Sequence, residues 1–408
     1  MKNNRLLNYC EEFFKELEIH EDITKKETYK KDLLHSIRNF LNETNDFNDK
    51  AIKVYEEFSR AYWLVENDDS IISMVREMKS FEENAGILTD KQRDHFVHSV
   101  NVFILGLAIY IKNLKFQREY KNYITHGDVY HDSYDTKHEE FLYRWGISSL
   151  FHDIAYPIEI SLKQLKRYLI FISEKCGLSG NQLQASLEIK NSDVFNNLPK
   201  MNPKKELYDE FFNKYPDFTD YHTNSLSLIA LEMSKSFGIE FKKIEIEIYD
   251  YVNRMSTANQ IDHGYYSALI VLRWFYQLIN NHKWQPAYFY YPIVSSVTAI
   301  VLHNYYKFAL MKEPFFMKQM NMESHPLAFL LILCDELQDW NRKPYGVNDL
   351  ERAFPNDIEL NLENETLEFR YLFENGKDGT IFSEKKLKSI QEVIRLESMF
   401  KSIKIMEG

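Results

Sequence analysis

The chain contains 13 histidines, and two of them are followed directly by an aspartate. One pair, His152-Asp153, lies in the apolar segment LFHDIA, so both side chains are predicted to be shielded from water. Burying a carboxylate costs several kcal/mol unless a metal ion or another partner compensates its charge. This pair is therefore a candidate metal or catalytic site, and a buried structural pair is the alternative.

The other pair lies in the polar stretch HGDVYHDSYDTKHEE. Its H-x-D-x-x-H-D spacing is similar to that of metallo-hydrolase loops, but those loops follow a buried strand, and no strand pattern precedes this one. We therefore expect a solvated loop, in which replacing Asp132 costs little. Its candidate side chains are His126, Asp128, His131, Asp132 and His138.

Four further predicted helices also place a histidine or aspartate on an inward face. Each such residue alone is more often a satisfied core residue than a ligand, but five helices doing so together are hard to explain by packing. The small residues Gly264, Ser267 and Ala268, which follow His263, would let a neighbouring helix approach closely. Four imidazoles and two carboxylates suit Mn, Fe, Co, Ni or Zn better than Ca or Mg. The four residues are His98, His263, His303 and Asp335.

The order of these residues, H…HD…H…H…D, resembles the HD superfamily of metal-dependent phosphohydrolases. RDHFVHSVNV is similar to its first motif, FHDIAYP to its signature dyad and LLILCDEL to its terminal aspartate motif. DHGYYSA and IVLHN resemble the two further histidine motifs of the subgroup that holds two metal ions. The resemblance covers more than half of the chain, from His98 to Asp335.

This resemblance implies a helical bundle around a metal site, and hydrolysis of a phosphoester or phosphoanhydride bond of a nucleotide or cyclic nucleotide by metal-activated water. Neighbouring residues on a helix diverge by about 100°, so adjacent His and Asp side chains would reach two ions side by side. Asp153, able to bridge the ions, and His152 would be the central catalytic residues. The implied ligands are His98, His152, Asp153 and Asp335, completed by His263 and His303 at the second ion.

The chain also departs from the family in ways that leave the substrate open. Ala155-Tyr156-Pro157 follows the dyad, where many cyclic-dinucleotide phosphodiesterases have Gly-Lys and deoxynucleotide triphosphohydrolases have Gly-His-x-Pro-Phe. The Gly-Tyr-Pro motif of the cyclic-di-GMP group is absent after His263. The competing hypothesis is a non-catalytic HD-type module that senses a nucleotide or binds a partner.

Residues near the motifs could assist the reaction. Lys163 and Arg167, with Lys166, would grip phosphates, although a solvated patch is the alternative. His95 could contact substrate or replace His98 as the ligand. Side chains that could orient the ligands, unless they simply face solvent, are Asp94, Gln338, Asp339 and Arg342.

The elements around these residues are predicted to be mainly helical. Amphipathic helices fill residues 1–85, and the HD-type domain spans 86–345, begins at a Thr89/Gln92 capping box and contains a predicted insertion at 177–223. Residues 346–408 form a small α+β appendix. It contains a β-hairpin and a final helix that carries Leu387, Ile390, Ile394 and Ile403.

Composition excludes several classes of protein. Only 12 glycines and 10 prolines argue against collagen-like, low-complexity and all-β chains, and 15% aromatic content argues against disorder. A net charge of −11 disfavours non-specific duplex binding. The absence of a signal peptide or membrane span, together with three scattered cysteines, favours a soluble cytoplasmic protein that acts on a phosphate-containing small molecule. The flanking regions leave room for a homo-oligomer.

Overall fold

The computed structural model describes residues 4–17, 29–42, 47–64, 71–86, 94–124, 137–175, 195–198, 213, 224–284, 286, 289–340, 355–373 and 380–408. These residues are mainly helical, as predicted, with a small sheet and a helix near the C-terminus. The first helices are α1 (Asn4–Glu16), α2 (Tyr29–Asn42), α3 (Phe47–Ala61), α4 (Ile71–Gly86), α5 (His95–Lys112), α6 (Leu114–Ile124), α7 (Lys137–Leu150) and α8 (Tyr156–Lys175).

The second half continues with five helices, of which the fourth is flanked by π-helical turns at Phe289–Ile293 and Tyr306–Leu310. The helices are α9 (Ser225–Phe237), α10 (Phe241–Thr257), α11 (His263–His282), α12 (Val294–Tyr305) and α13 (Pro326–Leu337). The remaining elements are β1 (Pro355–Asn361), β2 (Thr366–Phe373), α14 (Thr380–Val393) and β3 (Ser402–Glu407).

Helix α5 is the central element of the first half. It is long and apolar enough to cross a membrane, but 94% of it is buried inside the protein. Helices α1, α3, α7 and α13 pack around it, because an all-apolar helix needs cover on every side. The predicted apolar face of α1 contributes Cys10 and Phe13, both fully buried.

Helix α12 has the same role in the second half. Its buried residues are mostly apolar, with a few hydroxyl groups and His303 among them, and it packs against α7, α9, α11 and α13. Because α7 and α13 also contact each other, and α13 contacts α5, the two halves share one hydrophobic core. The ligand candidates therefore come from helices that meet at a common centre.

The sheet confirms the predicted hairpin and corrects the predicted final helix. β1 and β2 pair antiparallel, with Leu360 opposite Phe369. The helix ends at Val393, and Ile403 lies instead on β3, which pairs parallel to β2. Ile403 and Ile405 alternate with polar residues, a period of two that suits a strand.

Two further predictions changed in detail. The sequence also favours helices from about 140 to 174 with a kink at Pro157; these are two separate helices, α7 and α8, and Pro157 lies in the first turn of α8, where its missing N–H costs little. The Thr89/Gln92 capping box and the polar dyad at 131–132 lie outside the described residues, as does most of the predicted insertion. The boundaries near residues 85 and 345 stay predictions.

Gly106 allows α5 and α7 to pack in direct contact. A Cβ atom at this position would overlap the indole ring of Trp145. That ring is fully buried, and its Nε1 donates a hydrogen bond to Phe103 O at 2.8 Å. The indole therefore has little freedom to move aside.

Gly106→Ala should destabilise the fold. Although alanine favours a helix by about 1 kcal/mol over glycine, the overlap should lower the free energy of unfolding by about 1–3 kcal/mol overall. Denaturant titration of the wild type, Gly106→Ala, Trp145→Phe and the double variant measures this effect. The smaller ring relieves the overlap, so an equal cost of Gly106→Ala in both backgrounds would contradict the proposed contact.

Candidate metal centre

The six predicted ligand residues lie together where the central helices meet. His98 is on α5, His303 on α12 and Asp335 on α13, while His263 is the first residue of α11. The His152-Asp153 pair was predicted to lie on a helix, but it lies in the short non-helical turn between α7 and α8. The side chains form two groups: the first group is His98, His152 and Asp335, and the second group is Asp153, His263 and His303.

The first group is the more deeply buried at its two rings. Asp335 Oδ1 is 2.7 Å from His98 Nε2 and 3.7 Å from His152 Nε2. The imidazole rings of His98 and His152 are 1% and 0% exposed, and their centroids are 5.4 Å apart. Three donor atoms thus face one small volume that is closed to solvent on the histidine side.

The second group lies beside the first. His263 Nε2 is 3.1 Å from Asp153 Oδ1 and 3.2 Å from His303 Nε2. His303 is also in ring contact with His152 of the first group, at a centroid distance of 5.5 Å. The two groups are therefore neighbours within one centre.

Asp153 connects the two groups through its two oxygens. Oδ1 faces His263, whereas Oδ2 is 3.4 Å from His152 Nε2 and 3.9 Å from His98 Nε2. A single carboxylate thus presents one oxygen to each group. This is the arrangement that a bridging ligand requires.

The Nδ1 atom of every histidine in the centre contacts an acceptor outside it. These acceptors are carbonyl or carboxylate oxygens, so Nδ1 carries the proton in each neutral ring and Nε2 keeps its lone pair for the centre. The acceptors are Gln338 Oε1 for His98, Ser149 O for His152 at 2.8 Å, Glu159 Oε2 for His263 at 2.6 Å and Ile300 O for His303.

The carboxylates of the centre are held in their ionised form. Burial alone would raise the pKa of Asp153, but His152 and the hydrogen bond with His263 outweigh burial and hold this pKa well below its usual range. Burial likewise acts to raise the pKa of Asp335, but the neighbouring imidazoles of His152 and His98 outweigh burial and hold this pKa well below its usual range. Two negative charges therefore lie where the helices meet at neutral pH, with the Asp153 side chain buried and that of Asp335 31% exposed.

The pKa values of His263 and His303 are shifted in opposite directions. Burial acts to lower the pKa of His263, but hydrogen bonds with Asp153 and Glu159 raise it well above its ordinary value. The pKa of His303 is lowered, first by burial and then by the charges of His263 and His152. Protons and a divalent cation would compete for the same Nε2 lone pairs.

The donor set fits a divalent transition ion. His152 Nε2 is buried and has no hydrogen-bond partner in the part of the chain that the structure describes. His263 Nε2 and His303 Nε2 lie 3.2 Å apart, so a cation that displaces the proton on His263 Nε2 would be within reach of both lone pairs. Imidazole nitrogen with carboxylate oxygen is a common ligand set for zinc, iron and related ions.

Small residues bring α11 close to its neighbours, as the sequence predicts. A Cβ atom on Gly264 would lie 2.5 Å from His303 Cε1 and 3.1 Å from Ile300 O. Ser267 Oγ accepts a hydrogen bond from Ala155 N at 3.0 Å, which holds the turn that carries the His152-Asp153 pair. The glycine and the serine therefore set the spacing between the ligand-bearing segments.

A groove of about 380 Å³ opens next to His263. Lys163 and Lys166, two of the cations predicted to grip phosphate, line it, whereas Arg167 is not among its lining residues. The ammonium of Lys163 pairs with Glu159, and that of Lys166 donates to Asn259 O. Cations thus lie at the entrance nearest the second group.

His95 belongs to neither group. Its Nδ1 is 2.9 Å from Glu82 Oε1, and its ring stacks on Tyr156 with centroids 3.4 Å apart. Since His98 is the residue that joins the first group, the geometry does not support replacement of His98 by His95. Contact of His95 with a substrate stays a prediction.

The other predicted orienting residues have different positions. Gln338 contacts His98 directly, and its Nε2 is fixed by donation to Trp340 O at 2.8 Å. Asp94 caps α5, and its backbone oxygen accepts from His98 N. Asp339 instead pairs with Lys386 at 2.5 Å. Arg342 and most of the polar loop lie outside the described residues, although His138 is described and contacts Tyr110.

Sequence reasoning missed Glu159 and Glu82, the two carboxylates that hold His263 and His95. Glu159 lies in the first turn of α8 and is four residues before Lys163, a spacing more typical of an exposed helical ion pair. Its only usable signal was its position six residues after Asp153, one and a half turns from the dyad.

No known protein family, curated protein or solved structure matches this chain. The arrangement itself can bind a cation through buried, preoriented donors and can present that cation to a groove lined by lysines. Both properties follow from the positions of these side chains and do not depend on similarity to another protein. They define what the centre can do chemically.

Gly264→Ala should disrupt the second group. The added methyl group would push the His303 ring away from His263, so we expect weaker metal binding in proportion to folded protein. Metal content and melting temperature, measured together, separate this effect from general destabilisation. Gly106→Ala is the matched control, because it overpacks the core away from the centre; equal metal contents in the two variants would contradict the role of Gly264.

Proposed function

We propose that this protein is an HD-type metal-dependent phosphohydrolase that binds two divalent transition ions, such as Mn, Fe, Co, Ni or Zn. Its substrate would be a phosphoester or phosphoanhydride, of a nucleotide or cyclic nucleotide. The observation that supports this proposal best is the presence of two ligand groups facing each other across one carboxylate, Asp153. One ion with an open position needs only about three protein ligands, whereas six are present here.

Each group would hold one ion. The first group would use the Nε2 atoms of His98 and His152 with Asp335, and the second would use His263 and His303 with Asp153, which would also face the first ion. Divalent ions bound in this way polarise a phosphoryl oxygen and lower the pKa of a water molecule. The Nδ1 contacts of the histidines keep the donor atoms in place, so little reorganisation is needed when the substrate arrives.

The charge balance favours an anionic substrate. Two ionised carboxylates against two divalent cations leave a positive centre inside a protein whose net charge is −11. Lys163 and Lys166 line the groove beside His263 together with Glu159 and Asp262, so the positive charge that would attract a phosphate comes mainly from the ions. A phosphate group would therefore be drawn to this one region of an otherwise acidic protein.

The groove and the burial of the ligands define the direction of approach. The rings of His98 and His152 are closed to solvent, while His263 is 17% exposed at its side chain. The groove beside His263 would give a substrate phosphate a path to the second group, while the Asp335 side chain, 31% exposed, leaves the first group open on its carboxylate side. The free cysteines Cys10 and Cys334 are both buried, and we place the protein in the reducing cytoplasm.

The first test is metal content and turnover. We expect about two transition ions per chain after anaerobic purification, because six ligands exceed the need of one ion. Hydrolysis of bis-p-nitrophenyl phosphate with Mn²⁺, followed by a panel of nucleotides, tests the reaction. Asp153→Ala should abolish both metal binding and turnover, whereas Asp132→Ala, in the other His-Asp pair, should change little.

Elemental analysis that finds no metal, even after reloading with Mn²⁺ or Fe²⁺, would refute the proposal. Metal binding and nucleotide binding without hydrolysis of any substrate on the panel would instead support the sensing module. Loss of activity in Asp132→Ala with normal activity in Asp153→Ala would move the site to the polar loop.

The second test concerns the second ion. His263→Asn and His303→Asn should each leave a one-ion centre, with turnover reduced by orders of magnitude and stability changed only modestly, since the remaining ion and His152 still compensate Asp153. His282→Asn, at the opposite and exposed end of α11, is the matched control. Metal per chain, melting temperature and turnover are measured for all three. Metal content and turnover unchanged from the wild type in both test variants would refute the assignment of His263 and His303 to a second ion and leave a mononuclear centre as the fallback.

A further inference from the structure

Glu159 joins the metal centre to the groove through its two oxygens. Oε2 is 2.6 Å from His263 Nδ1 and 3.2 Å from His263 N, and Oε1 accepts from the Lys163 ammonium. The carboxylate is only 13% exposed, so these contacts are shielded from water. One side chain therefore touches both a ligand of the second group and a cation of the groove.

His263 differs from the other three histidines of the centre in its Nδ1 partner. The others contact uncharged oxygens, two of the backbone and one of an amide, whereas His263 contacts a carboxylate. A carboxylate in this position fixes the ring and raises the basicity of its Nε2 toward a metal. The least buried ring of the centre is thus the one with the strongest partner.

Lys163 lies where it can respond to an anion. It is four residues after Glu159 on the same face of α8, its side chain is 62% exposed, and its ammonium lies 5.8 Å above the Tyr156 ring. An ammonium has three donors, so it can keep Glu159 and still donate to a phosphate in the groove. This would complete a chain of contacts from phosphate to Lys163, Glu159 and His263.

We propose that Glu159 is a positioning residue that aligns His263 for the second ion and holds Lys163 at the groove for the substrate phosphate. This inference rests on the proposed function, because it requires the second group to bind a metal. It assigns Glu159 no direct contact with the reacting atoms. Its effect on the second ion should therefore be separable from its effect on phosphate.

The experiment is a titration of the metal-free protein with Co²⁺, followed by its visible absorption, which reports the ligand environment. Glu159→Gln should raise the dissociation constant of the second Co²⁺ about 10-fold and Glu159→Ala about 100-fold, with the first constant unchanged. Glu247→Gln is the control, because Glu247 is a similarly buried carboxylate paired with Arg254 and lies outside the centre.

Lys163→Met tests the second part of the proposal, in which Lys163 binds the substrate phosphate. It should leave both Co²⁺ constants unchanged but weaken the binding of inorganic phosphate to the Co²⁺-loaded protein, measured by calorimetry. Glu159→Gln should weaken both the second Co²⁺ and phosphate. If Glu159→Ala does not fold, the isosteric Glu159→Gln variant decides.

Wild-type Co²⁺ constants in both Glu159 variants would overturn the inference while leaving the proposed function intact. The inference would also fail if Glu159→Gln only lowers the melting temperature as Glu247→Gln does, or shifts both Co²⁺ constants equally. Wild-type protein that binds no Co²⁺ would overturn the inference together with the proposed function.

Discussion

Two ionised carboxylates, Asp153 and Asp335, lie inside a helical core whose other inward residues are largely apolar. Their charges need compensation, since an unpaired buried carboxylate would cost several kcal/mol. The compensating imidazoles come from α5, α11, α12 and the turn after α7. Sliding any of these segments would expose an uncompensated charge, so the charge balance also fixes how the helices pack.

The centre is asymmetric in its relation to solvent. The first group is closed on its histidine side, and its rings are oriented by neutral oxygens of Ser149 and Gln338. The second group adjoins the groove, and its outer ring is oriented by the carboxylate of Glu159. The histidine side of the first group is thus closed to solvent, whereas the second group can be reached from the groove. A centre that holds ions and also admits an anion requires both features.

The sequence was most informative at positions where a polar or charged residue interrupts an apolar helix face. His98, His303 and Asp335 could be identified because each interrupts an apolar helix face, and small residues such as Gly264 indicated a close approach. Glu159 could not be identified, because its spacing to Lys163 is that of an ordinary surface pair and only the fold places His263 beside it. Ile403 was misassigned to a helix because the partner that makes it a strand, β2, is set by tertiary pairing.

The centre also joins parts of the chain that are far apart in sequence. The contact between His98 and Asp335 spans 237 residues, and that between His263 and His303 spans only 40. Closing the longer loop costs more entropy and must await the synthesis of α13. The second group, whose three residues all precede α13, can assemble first. The two groups therefore differ in sequence range, since only the first depends on a contact that spans more than half of the chain.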